Sequence, residues 1–391
     1  MYRSRMVLGV VGALLGTVGL AGGSRAAATD APAPAVVIGS DLATYLERVN
    51  ERAFAAGARG MTPAERVAAS SGLRSLELSP NAVASLASEV ERLAAEGSSM
   101  ADDGRVVVSD ISVRVVTERA RKGSRVVTLQ TDRTLGDGQV WTEWTDYLVV
   151  ELARGVLKAG DVVSLNSDNV ANGEVPAEAA NLAPEAAFAV KAMDEWSVPI
   201  EEKFSQGSSE GVPATVDGPR LPKQTGGMSA PTLALGLSAT NRGKIRDYAL
   251  KHVYSYNTSY YKYSQDCTNF VSQAMRAGGW AFDYGWYRSN GNWWYTGGSP
   301  KATYSWAGAE NWYRFARVES KRATVLTNIY DLRIGDILQY KASGSSAMTH
   351  SMITTGHSNG VPLLTYHTSD NRNKPFTSIS SSGKTWFAHK V

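Results

Sequence analysis

One cysteine and five histidines hold most of the nucleophilic and proton-transferring capacity of this 391-residue chain, and all six lie at or beyond residue 252. A lone cysteine closes no internal disulfide and cannot supply the several sulfurs of a thiolate zinc cage. An inert buried thiol, an intermolecular bridge or a nucleophile remains. Cys267 opens the run Cys267-Thr268-Asn269-Phe270-Val271-Ser272-Gln273-Ala274-Met275-Arg276-Ala277, with Asp266 before it and Gly278-Gly279 after it. Asp266 as the cap and Gly278 as the stop predict a helix whose inward stripe is Phe270, Val271, Ala274 and Met275. Cys267 then sits in the first turn, where unpaired backbone N–H groups and the helix dipole favour a thiolate. Taken alone the placement also fits a buried free cysteine, which is common.

Two histidines fall in a predicted β-hairpin: His350 to Thr355, a turn on Asn359-Gly360, then Val361 to Thr368. Pairing symmetrically about the turn sets 354 against 365 and 352 against 367, so His350, Met352 and Thr354 share a face with Thr365 and His367. The two imidazoles become diagonal neighbours, roughly 7–8 Å apart at the backbone, one as base and the other as its orienter. A one-residue slip would put them on opposite faces, and Pro362, which cannot donate to the ladder, leaves room for a bulge near the turn. Upstream, Leu332 to Tyr340 reads as another strand, opened by a Gly335-Asp336 turn. A cysteine on a helix, followed by a sheet bearing a histidine and a third polar group, is the layout of papain-like hydrolases. His252, His357 and His389 read as structural or solvated.

Asp266-Cys267-Thr268-Asn269-Phe270-Val271-Ser272-Gln273, Ala277-Gly278-Gly279, Trp294, Ser305-Trp306, Gly335-Asp336-Ile337 and His350-Ser351-Met352-Ile353 together resemble a family of secreted bacterial proteins described as putative amidases, distant relatives of the NlpC-type and CHAP amidases. The resemblance covers about residues 241–391. It implies a papain-like fold, Cys267 as nucleophile, His350 as general base, and a third polar residue on the next strand. His367 is the first choice for that residue, with Asp370 and Asn371 as fallbacks. It also implies thiolate attack on an amide carbonyl and hydrolysis of a thioester. The oxyanion would be held by the backbone N–H of Cys267 and a second donor from Gln265, Tyr263 or Tyr261.

No His-x-x-x-His or other paired-ligand spacing accompanies the histidines, so neither metal nor cofactor is expected. The basic residues are scattered and no recognition motif accompanies them, so nucleic acid is not an expected partner. Six tryptophans between Trp280 and Trp312, with Tyr284, Tyr287, Tyr295 and Tyr304, crowd one stretch. Most are expected to pack the core and a loop over Asp283 to Gly298. Trp293, Trp294 and Trp306 are the candidates for lining a substrate cleft.

The length calls for two folded units. Arg3 and Arg5, the apolar run Met6 to Leu20 and Ala26-Ala27-Ala28 read as a signal peptide over 1–28, too short for a bilayer span. The mature protein is thus expected outside the cell or at its wall, and not as an integral membrane protein. A leader over 29–39 precedes a smaller α+β domain over 40–205. There, helices begin near Ser40-Asp41, Thr62-Pro63 and Ser79-Pro80, and strands follow over Val106–Val116, Ser124–Thr131, Val140–Leu152 and Val156–Leu165, with Asp137-Gly138 as a hairpin turn. Residues 206–240 read as a linker and 241–391 as the amidase-like α+β domain.

The net charge of +3 conceals an asymmetry: residues 241–391 carry 18 Lys+Arg against 8 Asp+Glu, while 29–240 are net acidic. That split suits docking between the halves, or attraction of the back half to an anionic cell-wall polymer. A secreted amide hydrolase acting on a peptide or peptidoglycan-like substrate is the leading expectation. A wall-binding module with a structural cysteine is the alternative, and an enzyme held latent by its acidic front half is a third.

Overall fold

The computed structural model describes residues 38–55, 86–121, 124–151, 159–164, 237–263, 265–298 and 301–391. The expected signal peptide, the helix at Thr62-Pro63, the start at Ser79-Pro80 and nearly all of the leader and linker lie outside these residues.

Helix α1 (Ile38–Ala53) buries Leu42, Tyr45, Leu46 and Val49, the three-and-four spacing that puts them on one face. It begins before the Ser40-Asp41 pair expected to cap it. Helix α2 (Ala87–Asp103) stops at Gly104, whose left-handed φ of 69° lets its N–H reach the Met100 carbonyl. The two helices meet where a Cβ on Gly97 would lie 1.9 Å from the Ala53 carbonyl oxygen, so only glycine permits the approach. A meander follows: β1 (Val108–Arg121), β2 (Ser124–Leu135) and β3 (Val140–Glu151), with β4 (Ala159–Ser164) paired to the far end of β3.

Beyond residue 236 come α3 (Ala239–His252), capped by the Ser238 hydroxyl, then α4 (Cys267–Ala277) and the short α5 (Tyr304–Ala307) and α6 (Ala309–Tyr313). Six strands close the chain: β5 (Thr324–Leu326), β6 (Ile337–Ala342), β7 (His350–Ser358), β8 (Val361–Tyr366), β9 (Asn371–Pro375) and β10 (Lys384–Lys390). The content is mixed helix and antiparallel sheet.

The strands form one sheet in the order β1-β2-β3-β9-β8-β7-β6-β10-β5. The joint between front and back halves is short in backbone pairing, Thr142 to Arg372 and Glu143 to Asn371. Side chains reinforce it. The Trp141 indole N–H donates to Asn371 Oδ1 at 2.9 Å and the Trp144 ring stacks on Tyr254 at 4.5 Å, beside a further backbone bond from the Trp144 amide N–H to the Asp370 carbonyl at 3.0 Å. Lys374, buried, pairs with Glu96 at 2.7 Å. Among the described residues that is the ion pair through which the basic half meets the acidic one.

Helices cover both faces of the back-half sheet. On one, α1 and α2 contribute Leu46 and Leu93 to an apolar cluster that also holds Trp141, Leu338, Met352, Leu364 and Trp386, so residues from both halves share it. On the other, α3 and α4 bring Ile245, Phe270, Val271 and Met275 against Ile337 and Ile353, with the tryptophans packed around them. Burial at roughly 25 cal/mol per Å² of apolar surface makes these two clusters the main source of cohesion.

Candidate active site

Helix α4 starts at Cys267, but Asp266 does not cap it: its side chain makes no bond to the first-turn N–H groups. Its carboxylate is engaged elsewhere. Oδ1 accepts from the Tyr263 N–H at 2.9 Å and from Asn269 Nδ2 at 2.8 Å, and Oδ2 lies 2.7 Å from His367 Nδ1. The first-turn N–H groups of α4 are therefore left to another acceptor, as an oxyanion requires. At the other end Gly278 stays in the right-handed region, and Gly279, at φ 98°, takes the turn. Gly278 instead allows close packing, since a Cβ there would meet Ile245 at 2.3 Å.

The hairpin forms on Asn359-Gly360, both at positive φ, and starts in the expected register with Ser358 opposite Val361. Between Gly356 and Thr354 the register shifts, so that Thr354 faces Leu364 and Ile353 faces Thr365. Thr355 is the extra residue of the bulge, its hydroxyl held by Thr365 Oγ1 at 2.8 Å and Asn373 Oδ1 at 2.9 Å. One residue of slip exchanges the faces. His350 therefore goes with Met352, Leu364 and Tyr366, and His367 with Ser351, Ile353 and Thr365. The expected diagonal pair of imidazoles does not form.

His350 keeps its place beside the cysteine. The Thr268 hydroxyl meets the Ser351 hydroxyl at 3.0 Å, which pins the first turn of α4 to the start of β7. Gln339 Nε2 donates to the same Ser351 oxygen at 2.8 Å. Burial, the largest single effect, pushes the Cys267 thiol up, but the charge of His350 and hydrogen bonds from the His350 side chain, the Thr268 hydroxyl and the Ser351 N–H together outweigh it. The net shift is below the ordinary thiol value. The Tyr366 ring meets the His350 ring edge-on at 4.9 Å and Tyr340 lies at 5.6 Å, so aromatic walls fix the orientation of the imidazole.

His367 lies on the α4 side of the sheet, 1% exposed, bound to Asp266 through Nδ1 and to the His252 carbonyl through Nε2 at 3.1 Å. Asp370 accepts from the Tyr256 hydroxyl at 3.0 Å. Burial raises its carboxyl above the usual range against the charge of His367 and the Tyr256 hydrogen bond. Asn371 is spent on Trp141 of the front half and on the Ser369 carbonyl. All three choices for a third triad member thus have polar atoms bound to groups other than His350. Of the oxyanion candidates, the Gln265 side chain is exposed, while Tyr263 is half-buried with its ring 4.8 Å from that of Tyr261.

Trp293 and Trp306 are fully buried and Trp294 is 8% exposed, so the three indoles chosen for a cleft belong to the interior. Their N–H groups are used there: Trp293 donates to Ser272, Trp306 to Asn269 and Trp294 to the Gly285 carbonyl. Among the described residues the exposed aromatics are Tyr261, Tyr284 and Trp286.

His252 bonds the Ser255 carbonyl and His357 the Leu332 carbonyl. His389 is buried beside Trp312 and Tyr313, and burial and the charge of Arg317 lower its pKa to about 3, so it stays neutral. Asp336 of the Gly-Asp turn is buried and binds Arg242, a backbone anchor rather than a reacting group. Thr268, Ser351 and Gln339 tie α4 to the sheet without being marked as site residues by their type. The Thr and Ser that directly follow Cys267 and His350 were the available signal.

Among the described residues no group of three or more His, Cys, Asp or Glu side chains is placed to hold a metal ion, and no helix is long and apolar enough to cross a membrane.

Residues 239–389 match the family model described as a putative amidase domain, the family that the motifs around Cys267 and His350 resemble. Two proteins of Bacillus subtilis (strain 168) are similar to about a third of the chain. The chain is 30% identical to "Uncharacterized protein YhbB" over 134 residues, 32% of this chain and 40% of that one. It is 30% identical to "Uncharacterized protein YjcM" over 143 residues, 34% of this chain and 31% of that one. The chain thus spans less than half the length of either relative. No solved structure matches it.

Proposed function

We propose, from the amidase match over residues 239–389, that this chain hydrolyses amide bonds through a thioester on Cys267, with His350 as the group that moves the protons. The observation that carries the reading is the thiol at the first position of α4, lowered below its ordinary pKa by the imidazole at the first position of β7.

The reaction follows from that geometry. The Cys267 thiolate forms a bond to the substrate carbonyl carbon, and the displaced electron pair goes to oxygen, stabilised by first-turn N–H groups of α4. The carbonyl re-forms as the C–N bond breaks, and the His350 imidazolium gives its proton to the departing nitrogen. Neutral His350 then takes a proton from water, whose oxygen attacks the thioester. The C–S bond breaks, releasing the acid and restoring the thiolate–imidazolium pair. Peptide-like amides are the substrate class that the amidase match supports, cell-wall peptides among them.

Thiol labelling tests this without a substrate. Iodoacetamide is expected to label Cys267 with a midpoint below pH 8.5, the ordinary thiol value. His350→Ala removes the lowering charge and hydrogen bond and leaves the burial, so its labelling midpoint moves upward, past the ordinary value. A wild-type midpoint at or above about 8.5, unmoved by His350→Ala, would sink the mechanism.

Export supplies the compartment in which such a substrate is met. The supporting features are Arg3, Arg5, the apolar run Met6 to Leu20 and the small residues Ala26 to Ala28. N-terminal sequencing of protein recovered from the culture medium is expected to begin just after Ala28. Recovery of the intact Met1 form from cells alone would count against export.

A further inference from the structure

We infer that His367 positions the nucleophile: buried in the sheet, it grips the first turn of α4 through Asp266 and acts on Cys267 rather than on His350. The inference rests on the hydrolase reading for its kinetic readout only.

The His367 ring is held in every direction. Nδ1 meets the Asp266 carboxylate at 2.7 Å and Nε2 the His252 carbonyl at 3.1 Å, so both ring nitrogens face acceptors. Phe270 of α4 stacks on one side with ring centroids 3.8 Å apart and Tyr256 on the other at 4.0 Å, each within 24° of parallel. The neighbouring residue adds a second tie: the Thr368 hydroxyl accepts from the Asp266 N–H at 3.0 Å. Thr368 and Ser369 both sit at positive φ, 70° and 88°. Non-glycine residues adopt that region only at a cost that the surroundings must offset, and the bend turns residues 367 and 368 toward the helix.

On the Asp266 side, the second carboxylate oxygen accepts from the Tyr263 N–H and from Asn269 Nδ2, and Asn269 in turn accepts from the buried Trp306 N–H at 2.7 Å. The chain entering α4, its first turn and the sheet are thereby locked to one another at the residue that precedes Cys267. The charged and titratable groups around the pair include Tyr248, Tyr256 and Tyr263, Asp370 through Tyr256, and Lys262, whose ammonium lies 3.7 Å from the centroid of the Tyr256 ring.

Two consequences follow for the sulfur. Misplacement of a reacting atom by about 1 Å costs on the order of 100-fold in rate, and Asp266 has no slack to transmit. A bare carboxylate one residue away also disfavours a thiolate, and a donating imidazole offsets it.

The test uses the full-length protein. His367→Phe fills the same slot without donors; His367→Gln keeps an N–H for Asp266. Folding is checked by thermal unfolding, Cys267 accessibility by the iodoacetamide pH profile, and catalysis by kcat and KM on a peptide amide that the wild type cleaves. His367→Phe is expected to slow labelling at fixed pH, move its midpoint upward, and lower kcat about 10- to 100-fold with KM nearly unchanged. His367→Gln recovers most of both. In a His350→Ala background an orienter of His350 would have nothing left to orient, whereas loss of a positioner slows labelling further.

A folded His367→Phe protein with wild-type labelling and kcat overturns the inference, as does silence in the His350→Ala background. If the Phe variant does not fold, Asp266→Asn breaks the same contact from the other side, since it keeps Oδ1 but places an amide opposite Nδ1; wild-type labelling in that variant overturns it equally. Labelling needs no substrate, so a wild type that cleaves no amide while these labelling shifts persist sinks the hydrolase reading and leaves the positioning role standing.

Discussion

Cys267→Ala is expected to lower amide hydrolysis by about 10⁴-fold or more while the protein stays folded. The side chain is small and 6% exposed, so removing its sulfur leaves a cavity worth only about 1 kcal/mol. No other thiol exists in the chain to take over. Cys267→Ser is a sharper version of the experiment. The hydroxyl keeps the shape and still reaches His350 and Thr268, but it remains protonated at any pH the protein survives, so it too should be inactive. His350→Ala removes only proton transfer and thiolate stabilisation and is expected to cost about 10²- to 10⁴-fold. The measurement is release of free amine from a peptide library, followed by mass spectrometry. Full activity in Cys267→Ala would return the cysteine to the role of a buried core thiol, and amine release by neither protein would favour the wall-binding alternative.

Lys374→Met is expected to destabilise the protein by about 3–5 kcal/mol, read as a fall in the urea midpoint. Lys374 is 2% exposed on β9, and its ammonium meets Glu96 of α2 at 2.7 Å. Around it, Arg92 pairs with Glu89, Glu96 and Glu143, and Arg133 with Glu143. Three cations thus balance three carboxylates in the interior, and removing one strands a negative charge there. Burial pushes Glu143 up, yet Arg92, Arg133 and Lys374 together hold it down at about 2.

Because that folded value is depressed, the stabilisation is fully present above the ordinary carboxylate range and is lost as pH falls toward 2. With Lys374 gone one lowering charge disappears, so acid unfolding should begin at a higher pH. Glu96→Gln combined with Lys374→Met restores the balance and should recover more than half of the loss. A Lys374→Met midpoint within about 0.5 kcal/mol of wild type would refute the account of how the halves are joined. The shared apolar cluster makes the same point from packing: Leu338, Met352, Leu364 and Trp386 of the back half lie in one cluster with Leu46 and Leu93 of the front half. A fragment starting at residue 241 would expose that face.

Much of this was legible in order along the chain. The helix over Cys267–Ala277, the hairpin on Asn359-Gly360, the strands from Val108 to Glu151 and the amidase resemblance all rest on local spacing or on motif identity. The tryptophans were harder. An aromatic-rich loop reads alike whether its indoles face a core or a cleft, and only packing against α4 put Trp293 and Trp306 inside. The charge split announced that the halves differ, but a formal sum carries no geometry, and it is Lys374 and Glu96 in particular that meet.

The lone cysteine, its place at the start of a helix and the presence of two histidines in one hairpin were determined by the sequence itself, because they depend on residue identity and on contacts within a few residues. Which histidine lies beside the cysteine was decided by tertiary structure. Thr355 bulges because its hydroxyl is held by Thr365 and Asn373, and that one extra residue sends His350 and His367 to opposite faces. Asp266 would cap α4 on local grounds, but one carboxylate oxygen is taken by the Tyr263 N–H and Asn269 and the other by an imidazole 101 residues away, at 2.7 Å. Strand alternation has a period of two, so a single distant hydrogen bond that adds one residue to a ladder reverses every side chain beyond it, and no local pattern encodes that choice.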